Sequence, residues 1–490
     1  MSSRHQKFFW LILLLYLALG LAYALLTPLW QAPDEPAHFN NIVAIATTGH
    51  LPELRPGDYD QAYLEALKAA HFPPELSIAP VRYEAHQPPL YYALMTPLYR
   101  VTASLGQQNQ ARALRLFNLL IGLEIISFIW LAGHRLFPHR PRVALLAAGA
   151  VAFLPMHIAM TASINNDALA ELFIAAVMLR LLRALRMPQR WPSWALTGFF
   201  IGLGLLTKFQ AYILIPLAGV VWLWQLKGGW RQAKTWFTGV ALALPALLLG
   251  VPWWLRNLKL YGGFDLFGLE RHNVVVVGQP RTAHWIATQG WSAYLERFFT
   301  FTFRSFWGVF GWMGVFMDDR AYLFLTLLSV LVLTGVLYQL WRWQQKQIHL
   351  TPAQKRGLIL LMLQLVLVLA AYLWYNLDFV QHQGRYLFPA LLPLSLLAAA
   401  GLLGMFSHRG SRVAAYVALL MLLAWALAGL RVHDVNGWAL LLAGASALAL
   451  AVRALTRAGR ALWWGLATEA LVALLALYAL VGAIIPQLAR

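Results

Sequence analysis

FFWLILLLYLALGLAYALLTPLW, residues 8–30, runs almost directly into Pro33-Asp34-Glu35-Pro36-Ala37-His38-Phe39. The first stretch has the length a helix needs to cross a bilayer, about 20 apolar residues at about 1.5 Å each. The second puts two adjacent carboxylic acids where that helix must end. Neighbouring carboxylates resist ionising together, and a membrane face lowers the local dielectric. Two prolines bracket the pair and restrict its backbone. His38 follows at helical spacing from both acids. Carboxylates are common at solvated helix ends, but a general base needs this kind of pre-oriented, ionised carboxylate. Two carboxylates fit Mg²⁺ or Mn²⁺ only loosely, and the two-His spacing of a zinc protease is absent.

The rest of the chain has the same character. Its 490 residues are 60% hydrophobic and 12% charged, too apolar for a soluble protein to hide. The formal charge of +19 would suggest nucleic acid in a soluble protein. Here the positive-inside rule explains it and no nucleic-acid partner is expected. The absence of cysteine excludes disulfides, thiolate zinc sites and a Cys nucleophile. Ala22-Tyr23-Ala24 resembles a signal-peptidase site, yet the apolar run continues through Leu25, Leu26 and Leu29, so an uncleaved first span is expected.

Apolar runs fall near 8–29, 115–136, 143–161, 168–187, 194–207, 210–226, 235–255, 321–341, 357–375, 388–406, 413–430, 437–452 and 461–485. Alternate connections are basic. Arg135, Arg140 and Arg142 follow the second run, and Arg180, Arg183, Arg186 and Arg190 close the fourth. Lys227, Arg231 and Lys234 follow the sixth, and Arg342, Lys346, Lys355 and Arg356 the eighth. Arg409 and Arg412, then Arg453, Arg457 and Arg460, complete the set. With Arg4 and Lys7 these lie on one side, the cytoplasm. The expected fold is an all-α polytopic membrane protein of about 13 transmembrane helices, in the plasma (inner) membrane with a cytoplasmic N-terminus. Residues 90–105 contain Pro97 and Arg100 and are short for a crossing, so an interfacial helix is expected there. It belongs to the first of two long outer loops, 30–114 and 256–320. Residues 1–406 form the expected core, and 407–490 a set of C-terminal helices that pack or hold lipid.

Other candidates lie at outer span ends. Asn165-Asn166-Asp167 precedes the fourth run; Asn and Asp favour helix caps, while Asp167 could also serve a site. Glu171, one turn on, is costly in a membrane unless paired. Lys208 sits in an apolar hairpin, where it either snorkels or holds a lipid phosphate. Arg385 in Gln383-Gly384-Arg385-Tyr386 can take phosphate bidentately, with Gly384 allowing close approach. Otherwise it anchors the loop through Asp378. The aromatic tract 298–316 reads chiefly as an interfacial belt.

Together these residues resemble the membrane-embedded C-type (GT-C) glycosyltransferases, nearest to the protein O-mannosyltransferase group and the lipid A aminoarabinose transferases. Asp34-Glu35 with His38-Phe39 is similar to the group's Asp-Glu motif. His86-Gln87-Pro88-Pro89-Leu90-Tyr91-Tyr92 is similar to its Pro-Pro-Leu-Tyr segment, and Asn166-Asp167 falls at its second acidic position. Thr207-Lys208-Phe209 and Gly384-Arg385-Tyr386-Leu387-Phe388-Pro389 resemble segments of bacterial members.

The resemblance covers about residues 8–400 and implies inverting transfer of a sugar from a polyprenyl-phosphate donor to an acceptor on the outer side. It implies Asp34 and Glu35 in the catalytic pair, Asp34 being the base. Lys208, Arg385 and Tyr386 would bind the donor phosphate, and His38, His86, Asn166 and Asp167 would shape the site. No cofactor is required; a divalent metal is possible but not indicated. The acceptor, whether protein, lipid or glycan, is left open by Pro36 and by segment 256–320, which depart from the family pattern. A lipid-glycan flippase would place its acids near the midplane, with repeat symmetry. A glycan ligase or polymerase would share the donor and differ in acceptor.

Overall fold

The computed structural model describes residues 3–226, 229–456 and 459–489; Lys227 and Arg457, counted above among the basic connections, lie outside them. Helix α1 (Ser3–Leu26) leads to three short helices, α2 (Glu35–Thr48), α3 (Gln61–Ala69) and α4 (Leu90–Val101). Then α5 (Gly106–Leu136) returns along the bundle. Helices α6 (Pro141–Ala152) and α7 (Pro155–Thr161) meet at a 67° bend. Four helices follow: α8 (Asp167–Ala184), α9 (Trp191–Leu205), α10 (Leu214–Gln225) and α11 (Ala233–Tyr261). The second long segment holds α12 (Leu269–Val275) and α13 (Thr282–Gly308), the latter broken at Gly290. Strands β1 (Val309–Phe310) and β2 (Val315–Phe316) then form a small antiparallel hairpin. The chain closes with α14 (Asp319–Gln344), α15 (Pro352–Asp378), α16 (Leu391–Met405), α17 (His408–Arg431), α18 (Gly437–Leu455), α19 (Ala461–Tyr478) and α20 (Ile485–Leu488).

All thirteen apolar runs are helical, but they are not equal. Among the described residues nine helices are long and apolar enough to cross a membrane, or ten if the bent α6–α7 pair is one span. The other three expected crossings are α8, which carries Asp167, Glu171, Arg180 and Arg183, and the shorter α9 and α10. Length and composition thus carry nine or ten of the thirteen. Helix α4 has 12 residues, about 18 Å by its rise, and is too short to cross.

Close packing uses small residues, as expected where the surrounding lipid is as apolar as the helices. A side chain at Gly198 of α9 would strike the Leu242 carbonyl of α11, and Gly335 of α14 lies against the Gly401 carbonyl of α16. Large apolar side chains such as Trp10, Leu248, Leu333 and Leu420 are left exposed around the bundle. The boundary drawn at 406 marks no gap in packing. Tyr23 of α1 donates to the Ala476 carbonyl of α19 at 2.7 Å, and Phe8 meets Trp463 edge-on.

The two long segments dock on each other at one end. Arg256 donates to the Pro52 carbonyl (2.6 Å), Arg271 to the Leu54 carbonyl (3.0 Å) and Trp312 Nε1 to the Trp30 carbonyl (2.9 Å). The aromatic tract is therefore divided: Phe299 is exposed, Phe310 is buried, and Trp312 stacks on Phe72. At the other end Arg186 and Gln354 both donate to the Leu136 carbonyl, gathering the basic connections.

Candidate functional site

The turn after α1 places Asp34 in an unusual backbone state. Its φ of 67° is left-handed, a conformation that costs a non-glycine residue free energy and that Asp tolerates better than most. Trp30, four residues earlier, has φ 68°. Pro36 falls in the first turn of α2, where a missing N–H costs nothing. Asp34 precedes α2 but does not cap it with its side chain. Instead Oδ1 accepts the Tyr83 hydroxyl at 2.7 Å, and Oδ2 pairs with Arg385 Nη2 at 3.0 Å. Burial alone would push the carboxyl up, but the Arg385 guanidinium and the Tyr83 hydroxyl hold it below the usual carboxylate range.

Glu35 faces the opposite way and is fully buried. Arg115 of α5 grips it bidentately, Nε to Oε1 and Nη2 to Oε2, both at 2.6 Å. The amides of Trp30 (2.9 Å) and Ile164 (3.1 Å) donate to the same oxygens. Arg115 also donates to the carbonyls of Ala24, Thr27 and Pro28. Glu35, expected in the catalytic pair, ties the end of α1, the start of α2, α5 and the α7–α8 turn together. Both its oxygens are committed to that clamp.

Across the site Lys208 Nζ lies 2.6 Å from Asp167 Oδ1, so the lysine does not snorkel. The capping role falls to Asn165, whose Oδ1 accepts the amides of Asp167 and Ala168, leaving the Asp167 side chain free for Lys208. Asn166 donates to Gln87 Oε1 (3.2 Å) and to the Thr207 carbonyl (3.1 Å), joining the Pro-Pro-Leu-Tyr segment to the lysine loop. Arg385 also donates to Gln383 (2.7 Å) and its guanidinium lies over the Tyr386 ring at 5.5 Å. Its carboxylate partner is Asp34; Asp378 is exposed. Gly384 allows a close approach, but to α13 rather than toward a ligand: a side chain there would strike the backbone of Thr302 and Phe306.

The two ion pairs share one region, since Arg385 interacts electrostatically with both Asp34 and Asp167, and His38 with all four groups. His38 Nδ1 is 2.9 Å from the Tyr92 hydroxyl, and burial pushes its pKa down to about 3. His86 packs against His272 of the second long segment, ring centroids 4.5 Å apart. Of the four principal charged groups Asp34 is the most open, with 28% of its side chain exposed against 6% for Arg385. Among the described residues no group of three or more His, Asp or Glu side chains is placed to hold a metal ion.

Sequence reasoning missed Arg115 as a member of the site and gave Tyr83, Glu84 and Tyr92 no individual role. An arginine at the head of an apolar run is the signal that could have found Arg115. Glu84 is buried, its Oε2 lacks a partner, and burial with Asp34 nearby raises its carboxyl to about 7.

Residues 86–254 match the family model for dolichyl-phosphate-mannose-protein mannosyltransferase. The matched region contains His86, Asn166, Asp167 and Lys208 and stops short of Asp34 and Arg385 on either side. Curated protein sequences give no match. Solved structures do. ArnT from Cupriavidus metallidurans bound to undecaprenyl phosphate superposes with TM-score 0.51 at 17% identity, over 98% of this chain and 78% of that one. The apo oligosaccharyltransferase of Archaeoglobus fulgidus gives 0.50 at 11% identity, over 96% of this chain and 57% of that one. AglB of the same organism, in complex with an inhibitory peptide and a dolichol-phosphate, gives 0.50 at 14% identity, over 96% and 56%. The chain thus spans little more than half the length of the archaeal proteins. It is a polytopic membrane protein with the fold of the C-type glycosyltransferases, and its residues 86–254 carry the sequence match to the mannosyltransferase family.

Proposed function

We propose that the protein is an inverting glycosyltransferase that moves a sugar from a polyprenyl-phosphate donor to an acceptor on the outer face of the membrane. The observation that carries this reading is the paired arrangement of Asp34 with Arg385 and of Asp167 with Lys208 at one end of the bundle. Two cations and a reachable carboxylate are what an in-line displacement at a lipid phosphate requires. The structural relatives hold undecaprenyl phosphate and dolichol-phosphate, which supports a lipid-phosphate donor.

In this mechanism the donor phosphate competes with the carboxylates for Arg385 and Lys208. As Arg385 turns to the phosphate, Asp34 loses part of its stabilising charge and becomes a better base. Asp34 then takes the proton of an acceptor hydroxyl. That oxygen forms a bond to the anomeric carbon while the bond from carbon to phosphate oxygen breaks. The lipid phosphate leaves as an anion held by the two cations. Glu35 and Arg115 fix the Asp34 backbone, and Tyr83 orients its carboxylate. Tyr386 supports Arg385, while His38, His86 and Asn166 line the walls. No step runs through a metal.

The positive-inside pattern supports a plasma-membrane protein whose basic connections face the cytoplasm, with the site opposite. The acids of the two ion pairs, Asp34 and Asp167, lie at helix starts rather than in helix interiors, which favours the enzyme over a flippase. The test is incubation of purified protein with polyprenyl-phosphate sugars and an envelope extract as acceptor source. Release of sugar-free polyprenyl phosphate is the expected result. Translocation of intact donor across vesicles without its cleavage would replace the enzyme with a flippase.

A further inference from the structure

Three acids around the site have matched charges: Asp34 with Arg385, Asp167 with Lys208, and Glu35 with Arg115. Glu84 does not. It lies in the turn Tyr83–His86, between the tyrosine that holds Asp34 and the segment that carries Gln87. The turn is fixed from α2, because Asn41 Nδ2 donates to the Glu84 carbonyl at 2.8 Å. The side chain is 9% exposed; it bonds to Gln87, and its Oε2 has no partner. Asp34, Lys208 and Asp167 all interact with its charge, as do the phenols Tyr92 and Tyr375. Groups from α2's flank, α4, α8, the lysine loop and α15 therefore act electrostatically on one buried carboxyl, of which Oε2 is left unsatisfied.

Such an oxygen costs free energy unless a ligand or water completes it. A phosphate would not do so, since an ionised carboxyl repels it. A sugar hydroxyl would. With its carboxyl raised to about 7, Glu84 takes up a proton near neutral pH far more readily than an exposed glutamate does. The acid then both donates and accepts, which is the complement of a hydroxyl. The sugar ring must also lie near this point, because its anomeric carbon sits between the base and the phosphate cations.

We infer that Glu84 hydrogen-bonds a ring hydroxyl of the donor sugar and so selects which sugar is transferred. The inference rests on the glycosyltransferase reading above. Its test needs no acceptor: the affinity of purified protein for undecaprenyl phosphate is compared with that for undecaprenyl-phosphate mannose, glucose and galactose and their monodeoxy forms. Wild type should bind one sugar-lipid about tenfold to a hundredfold more tightly than the sugar-free lipid. Glu84→Ala should close that gap and leave undecaprenyl phosphate affinity intact. One monodeoxy donor should lose affinity for wild type but lose nothing further in Glu84→Ala, the signature of a direct partner. Glu84→Gln preserves the shape and should shift the ranking of sugars even if the alanine variant folds poorly. An unchanged ranking in both variants, or an equal loss for the sugar-free lipid, overturns the role of Glu84 alone. A wild type that binds neither lipid overturns the parent reading, and the inference with it.

Discussion

Replacing Arg115 with methionine tests whether the Asp-Glu motif is divided between one acid that is fixed and one that acts. Arg115→Met removes both guanidinium bonds to Glu35 and leaves that carboxylate buried with only the Trp30 and Ile164 amides. It also strips donors from the carbonyls of Ala24, Thr27 and Pro28. Removing one partner of a buried pair costs about 3–5 kcal/mol, most of it from the stranded charge. The double variant Glu35→Met/Arg115→Met removes that charge and should recover part of the loss. The unsatisfied carbonyls, at about 1–3 kcal/mol each where water cannot reach them, set a limit on the recovery. Thermal unfolding in detergent reads both variants. The same samples should lose turnover more than undecaprenyl phosphate affinity, because Arg385 and Lys208 are untouched while the left-handed turn at Trp30 and Asp34 loosens. A single variant melting within about 2 °C of wild type would refute the clamp. So would a double variant no more stable than the single.

Arg385→Ala and Lys208→Ala should each weaken donor binding by about 2–5 kcal/mol without unfolding the protein, and unchanged affinity in both would place the phosphate elsewhere. Arg385→Lys should restore only part of the loss, since a point charge cannot reproduce a planar fork. Gly384→Val should lower thermal stability, because the added side chain meets the α13 backbone; an unaltered melt would show that the loop can move away. His38 is held neutral by burial with a pKa of about 3, whereas the unfolded chain takes up a proton near 6.5. Stability from this residue is therefore complete above pH 6.5 and is lost as pH falls. His38→Gln should show a shallower loss of melting temperature than wild type over that range; parallel curves would contradict this.

The helices were legible because each needs only its own sequence: an apolar run of sufficient length becomes a helix whatever surrounds it. The bend after α6 was not read, although Pro155 at the first position of α7 marks it. The Asp-Glu pair announced itself by position, but the division of labour within it depends on Arg115, some 80 residues away. Asn165 rather than Asp167 serving as the cap is a local choice between adjacent residues that sequence leaves open. The docking of residues 52–54 on 256–271 joins segments about 200 residues apart through backbone carbonyls, and carbonyls carry no sequence signal. Glu84 carries no signal of its own in the sequence, because its unmatched charge appears only when the partners of the other acids are known.

Asp34→Asn gives the most direct test of the central claim. The substitution keeps the shape and the Tyr83 contact but removes the base, so the acceptor proton has nowhere to go. Purified Asp34→Asn and wild type are compared for turnover of a polyprenyl-phosphate sugar and, separately, for undecaprenyl phosphate binding. The account predicts a turnover loss of about 10²–10⁴-fold with lipid-phosphate binding retained or improved, since Arg385 loses its competing carboxylate. Full turnover by Asp34→Asn would contradict the assignment of the base and, with it, the proposed chemistry of the site.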